Sequence, residues 1–258
     1  MNDDDKIPFT SHLEELRRRL IIAFIAVAVG FAASYGFKEQ LFEILVRPLK
    51  LVMAEGDTLI FTNLPEAFFT YLKVAFLTGI GLASPVIFYQ FWLFVAPGLY
   101  DKEKRLLLPI MFLSTFFFVG GAMFGYFIVF PFGFEFFLGF ATETIRPMPS
   151  MKEYLGFAAK LLLAFGIVFE LPLVITFLAR LGIVSVPFLK KNRKYAILLF
   201  FVGSAILTPP DVVTQVMMAL PLMLLYEISI LGARVFGRKS LEENDAAGSE
   251  AENRAPSD

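Results

Sequence analysis

The chain has 258 residues, of which 57% are hydrophobic and only 18% charged, where a soluble domain carries nearer a quarter charged. Its net charge of −1 offers no electrostatic footprint for nucleic acid. The absence of cysteine excludes disulfides, cysteine metal sites and cysteine nucleophiles. The single histidine, His12, lies in a charged N-terminal stretch. Long apolar runs dominate the rest, and a run of about 18 or more apolar residues reads as a bilayer span.

Residues 1–9 are acidic and read as loose. Ser11-His12-Leu13-Glu14 matches a capping box, which predicts a helix starting at Ser11 and assigns Glu14 to the cap. Leu13, Leu16 and Leu20 share one face of that helix. Arg17, Arg18 and Arg19 then precede an apolar run that reaches Phe37. A cleavable export signal has a shorter apolar core and a small-residue cleavage site, so the run reads as a retained first span, about 20–37.

Residues 38–66, with Pro48, Gly56, Asp57 and Pro65, predict a structured loop holding one or two short amphipathic helices. Span two is expected at about 67–95, closed by Ala96-Pro97-Gly98. The charged loop Asp101–Arg105 separates it from span three, about 106–140. A second loop with Pro147 and Pro149 leads to span four, about 154–181. Span five is short, about 195–207. The turn Thr208-Pro209-Pro210-Asp211, in which Asp211 can cap the next helix, introduces span six, about 212–235. The acidic tail 240–258 reads as disordered. Prolines 85, 109, 131, 172 and 221 fall inside or at the ends of spans and favour kinks. The expectation is an all-α membrane protein with six transmembrane helices.

Six spans put both termini on one side, and lysine and arginine decide which. The segments on the side of the termini hold sixteen of these residues and the opposite segments five, which predicts cytoplasmic termini. Lys73 and Lys160 lie within spans. Thirteen residues of span five reach only about 20 Å against a hydrocarbon core near 30 Å. Locally thinned membrane beside spans five and six follows.

Five acidic or amide side chains are candidates for function. Glu170, in Phe169-Glu170-Leu171-Pro172, is a carboxylate at membrane depth and should face protein, water or a partner. Gln215 is a second intramembrane polar group, of a type that often joins helices. Glu227 sits near the end of span six. Glu15 has no capping duty, although an i,i+4 pair with Arg19 would account for it. Glu103 reads equally as a loop charge near a helix start.

The segment Thr10-Ser11-His12-Leu13-Glu14-Glu15-Leu16-Arg17-Arg18-Arg19-Leu20 resembles the N-terminal signature of the TatC family. That family is the large receptor subunit of the twin-arginine protein translocase. Ser84–Trp92 with Phe94, Ala96 and Pro97 is similar too, as are Leu99-Tyr100 with Glu103 and Arg105. Phe165-Gly166, Phe169–Pro172 and Leu207–Asp211 complete the resemblance, which extends nearly to the tail. It implies a curved six-helix scaffold with no catalytic residues, metal or cofactor, in the bacterial cytoplasmic membrane. It implies that Glu15 and Glu103 contact the paired arginines of signal peptides on folded cargo. Arg17, Phe94, Pro48 and Asp211 match positions needed for activity, and Glu170 matches a polar group on the concave face. Single-span TatB and TatA subunits would be partners in a hetero-oligomer, with span five as their docking surface. The proton-motive force would drive transport.

The chief rival is an ion-coupled secondary transporter using Glu170, Lys73 and Lys160. Such folds often carry internal repeats, and residues 1–130 and 131–258 show no similarity. An intramembrane enzyme would need a metal-ligand cluster or nucleophile–base pair, and the spans supply neither.

Overall fold

The structure is a computed structural model that describes residues 9–54, 57–95, 107–142, 146–208 and 211–237. Among them the regular elements are helical: α1 (Phe9–Tyr35), α2 (Lys38–Lys50), α3 (Glu66–Val95), α4 (Leu107–Phe124), α5 (Phe130–Leu138), α6 (Met151–Val168), α7 (Leu171–Arg180), α8 (Val186–Lys191), α9 (Arg193–Leu207) and α10 (Val212–Phe236). The fold class expected from the sequence, all-α, is what these residues form. One extended pairing joins the loops among the described residues, a parallel bridge between Ile60 and Ser150. Glu103 and the acidic tail lie outside the described residues.

Four helical stretches among the described residues are long and apolar enough to cross a bilayer: Glu66–Val95, Leu108–Leu138, Met151–Arg180 and Val212–Phe236. The pair His12–Tyr35 and Lys38–Lys50, bent by 88° at its break, adds a fifth when taken as one span. Helix α9 has 15 residues, about 22 Å at 1.5 Å per residue. The chain is a multi-pass membrane protein. It divides into two compact units that part between Phe169 and Glu170.

The first unit is organised by small residues. Gly30 of α1 lies against Gly79 of α3 so closely that a Cβ on Gly30 would sit 2.6 Å from the Gly79 carbonyl oxygen. Ala75, Gly79 and Ala83 recur at every fourth position of α3 and are all buried. Such a small-residue stripe lets two helix backbones approach where lipid supplies no hydrophobic drive for association. Gly121 of α4 makes a similar close approach to the Phe165 carbonyl of α6. Trp92 donates to Ser114 Oγ at 2.8 Å, which ties α3 to α4.

Prolines mark several of the irregularities. Between α4 and α5 the chain makes a π-helical turn, Gly125–Val129, in which the Phe130 N–H reaches the Gly125 carbonyl. Pro131 follows immediately; it has no N–H to give to a carbonyl four residues back, and the widened turn absorbs the mismatch. Pro172 opens α7 after the break at Phe169 and Glu170. Pro85 and Pro221 lie within continuous helices.

In the second unit α7 and α10 pack at another close contact, Thr176 against Gly232. Asp211 caps α10: its carboxylate accepts from the Thr214 N–H at 2.7 Å and from the Thr214 hydroxyl. Gln215 Nε2 donates to the Phe201 carbonyl at 3.0 Å and so joins α10 to α9. Arg193 pairs with Glu227 at 2.7 Å, giving that carboxylate a partner within the unit.

Candidate functional site

Helix α1 starts at Phe9, two residues before the expected cap at Ser11. Ser11 therefore stands inside the first turn rather than ahead of it. Glu14 is exposed. It lines a cavity of about 620 Å³ with Glu15, Arg18, Arg19, Ile22, Gln90 and Leu93. The cavity lies between the first turns of α1 and the last turns of α3, the two helices held together by the Gly30–Gly79 contact.

Glu15 is half-buried there. The Arg19 Nε donates to its Oε1 at 3.0 Å, and an Arg19 terminal nitrogen contacts the same oxygen. Arg19 Nη1 also reaches Gln90 Oε1 at 3.5 Å. The i,i+4 pair expected from spacing is thus present, and it is anchored to the facing helix. His12 stacks on Phe94, ring centroids 4.4 Å apart, a further contact between α1 and α3. Arg17 is exposed on α1. The structure therefore brings Glu15 and Phe94 to the ends of two packed helices.

The remaining predicted residues serve elsewhere. Pro48 is buried in α2. Its missing N–H leaves the Ile44 carbonyl without its helical donor, and the Tyr126 hydroxyl donates to that carbonyl at 2.5 Å. The Tyr154 hydroxyl donates to the next carbonyl, Leu45, also at 2.5 Å. Glu170 is buried at the N-terminus of α7, where its own carbonyl accepts from Val174 N–H at 2.9 Å.

Sequence reasoning missed Gln90, Tyr126, Tyr154 and Glu66. Tyr126 carried one available signal: a proline within a helix demands a replacement donor, and tyrosine is the donor that apolar surroundings tolerate. Glu66 carried another, as a carboxylate at the end of an apolar run. Its oxygens accept from Ser150 Oγ, the Lys152 N–H, the Thr62 N–H and hydroxyl, and the Asn63 N–H, at 2.7–3.3 Å. No group of three or more acidic, histidine or cysteine side chains among the described residues could hold a metal ion.

The family model described as "Sec-independent protein translocase protein (TatC)" matches residues 11–221. The chain belongs to the TatC family. A family protein of Desulforapulum autotrophicum is 68% identical over 245 residues, covering 95% of this chain and 91% of that one. Another, of Magnetococcus marinus, is 50% identical over 244 residues, covering 94% and 90%. Both bear the family description. Among solved structures, a crystal structure of the twin-arginine translocase receptor TatC superimposes with a TM-score of 0.80 at 43% identity, over 88% of this chain and all of that one.

Proposed function

We propose that the chain is the signal-receiving core of a twin-arginine translocase, in which Glu15 and Glu103 hold the two arginines of a signal peptide on a folded cargo protein. The observation that carries this reading is the environment of Glu15: a half-buried carboxylate, beside a cavity, already held by a guanidinium. A guanidinium is planar, permanently charged and able to pair bidentately with a carboxylate, whereas an ammonium carries the charge without the fork. Arg19 occupies the place that a signal arginine would take. An i,i+4 pair of this kind is worth only a few tenths of a kcal/mol, so its displacement is cheap. An incoming arginine that becomes partly desolvated gains about 1.5–3 kcal/mol per charged hydrogen bond. Gln90 would then keep hold of the displaced Arg19.

Two such contacts fall short of micromolar affinity, which needs about 8 kcal/mol. The apolar stretch of the signal supplies the rest along exposed apolar faces of the spans. The site performs recognition, with no covalent step. The excess of lysine and arginine in the segments flanking the termini supports cytoplasmic termini and a six-span arrangement in the bacterial inner membrane. Single-span TatA and TatB subunits are the partners, and α9 offers them exposed Leu198, Leu199, Val202 and Ile206. Glu170 and Gln215 serve the transport step, which the proton-motive force drives.

The test is photo-crosslinking of a labelled signal peptide to the chain in membranes, with a twin-lysine peptide as control. The twin-arginine peptide is expected to crosslink to the unaltered chain, and the signal should fall at least tenfold with twin lysine or with Glu15→Ala/Glu103→Ala. Undiminished crosslinking to the double variant would overturn the assignment.

A further inference from the structure

Far from the Glu14–Glu15 cavity, at the other end of α3, a second cavity of about 730 Å³ opens between the start of that helix and the segment leading into α6. Two lysines line it, Lys73 of α3 and Lys152 of α6. Both are exposed, and neither has an ion-pair partner among the described residues. The one carboxylate in the lining, Glu66, is only 5% exposed, and both its oxygens are taken by five donors. One of those donors is the Lys152 N–H, so Glu66 fixes the backbone from which the second lysine extends. Glu153, next in the chain, is exposed but does not line the cavity. The cavity is therefore electropositive, with its only acidic lining residue committed to the fold.

The surroundings are apolar. Glu66, Phe69, Lys73 and Phe76 fall at helical spacing on one stripe of α3, and Phe69 and Phe76 are 55% and 52% exposed. Leu64, at the cavity edge, is 93% exposed. A lysine two turns into an apolar helix extends its ammonium back toward the polar boundary of the bilayer. Such a cation, a second cation above it and an aromatic track below together match an anionic amphiphile.

We propose that this cavity binds the phosphate of an anionic phospholipid between Lys73 and Lys152, with an acyl chain running along Phe69 and Phe76. A free phosphate would gain nothing from the exposed apolar stripe, and a neutral lipid would gain little from the two ammonium groups. The lipid would brace the junction of the two loops that Glu66 and the Ile60–Ser150 bridge already join.

The test is native mass spectrometry of the purified full chain in detergent, titrated with phosphatidylglycerol, phosphatidylcholine or glycerol 3-phosphate. The unaltered chain is expected to take one phosphatidylglycerol in preference to phosphatidylcholine and to ignore glycerol 3-phosphate. Each lysine near a membrane surface contributes about five- to sixfold to binding an anionic lipid, so Lys73→Gln/Lys152→Gln should weaken that first binding by about thirtyfold. Lys73→Arg/Lys152→Arg should retain it, as should Lys190→Gln/Lys191→Gln in the second unit. Helical circular dichroism checks that each variant is folded. Unchanged affinity in the folded Lys73→Gln/Lys152→Gln variant overturns the proposal. So does equal binding of phosphatidylcholine, which marks an unselective lipid surface, or binding of glycerol 3-phosphate alone, which marks a free-anion site.

Discussion

The Tyr126 hydroxyl and Pro48 form a complementary pair at the level of single atoms. Pro48 removes one N–H from α2, and Tyr126 replaces it at the Ile44 carbonyl. Tyr126→Phe should therefore destabilise the chain by about 0.5–1.5 kcal/mol, the net worth of the lost hydrogen bond. In a Pro48→Ala background the alanine N–H can reach the same carbonyl, and the further cost of Tyr126→Phe should shrink to less than half. Denaturant unfolding of the four proteins in detergent gives the coupling; an equal cost in both backgrounds contradicts the pairing. The family resemblance singled out Pro48, while the donor that meets its orphaned carbonyl lay 78 residues away in sequence, at Tyr126. Residue identity was legible there, but the hydrogen bond was not, because only the fold decides which donor arrives. Glu14 shows the opposite limit. A four-residue motif placed the helix start at Ser11, whereas α1 begins at Phe9 and Glu14 lines the cavity.

Apolar runs fixed the approximate place of each long helix, since length and hydropathy suffice for that. The expected amphipathic helix in the 38–66 loop is α2, which buries Leu45, Val46, Pro48 and Leu49 on one side. The π-helical turn was hidden, because a one-residue change of backbone register has no composition of its own; Pro131 was its sole marker. The Gly30–Gly79 contact was also hidden, although the Ala75-Gly79-Ala83 spacing could have announced it. Gly30→Ala and Gly79→Ala should each separate α1 from α3, since the atoms a Cβ would meet are backbone and cannot rotate away. Each is expected to destabilise the chain by about 2 kcal/mol or more, whereas Gly81→Ala, with open space around it, should change stability little. A thermal-unfolding series reads the difference, and equal effects at all three positions would contradict it. At the head of α10, Asp211→Ala should cost about 1 kcal/mol through loss of the Thr214 cap, and Asp211→Asn appreciably less. If the two variants unfold alike, the side-chain carbonyl is not what caps the helix.

For the molecule as a whole, composition and long apolar runs pointed to a multi-pass membrane protein, and a set of dispersed motifs pointed to the family. The proposed recognition site occupies a much smaller place, the cavity between the first turns of α1 and the last turns of α3. Its acidic side chains were visible in the sequence. The engagement of Glu15 by an internal arginine, held in turn by Gln90, emerged only with the two helices packed. That engagement is the strongest physical reason to regard the site as one that selects guanidinium. The measurement that tests it most directly is a double-mutant cycle between the chain and its peptide. Binding of a twin-arginine signal peptide and of peptides with either arginine replaced by glutamine is measured against the unaltered chain and Glu15→Gln. A coupling of about 1.5–3 kcal/mol between Glu15 and one of the two arginines is the predicted result. A coupling indistinguishable from zero at both arginines would contradict the account.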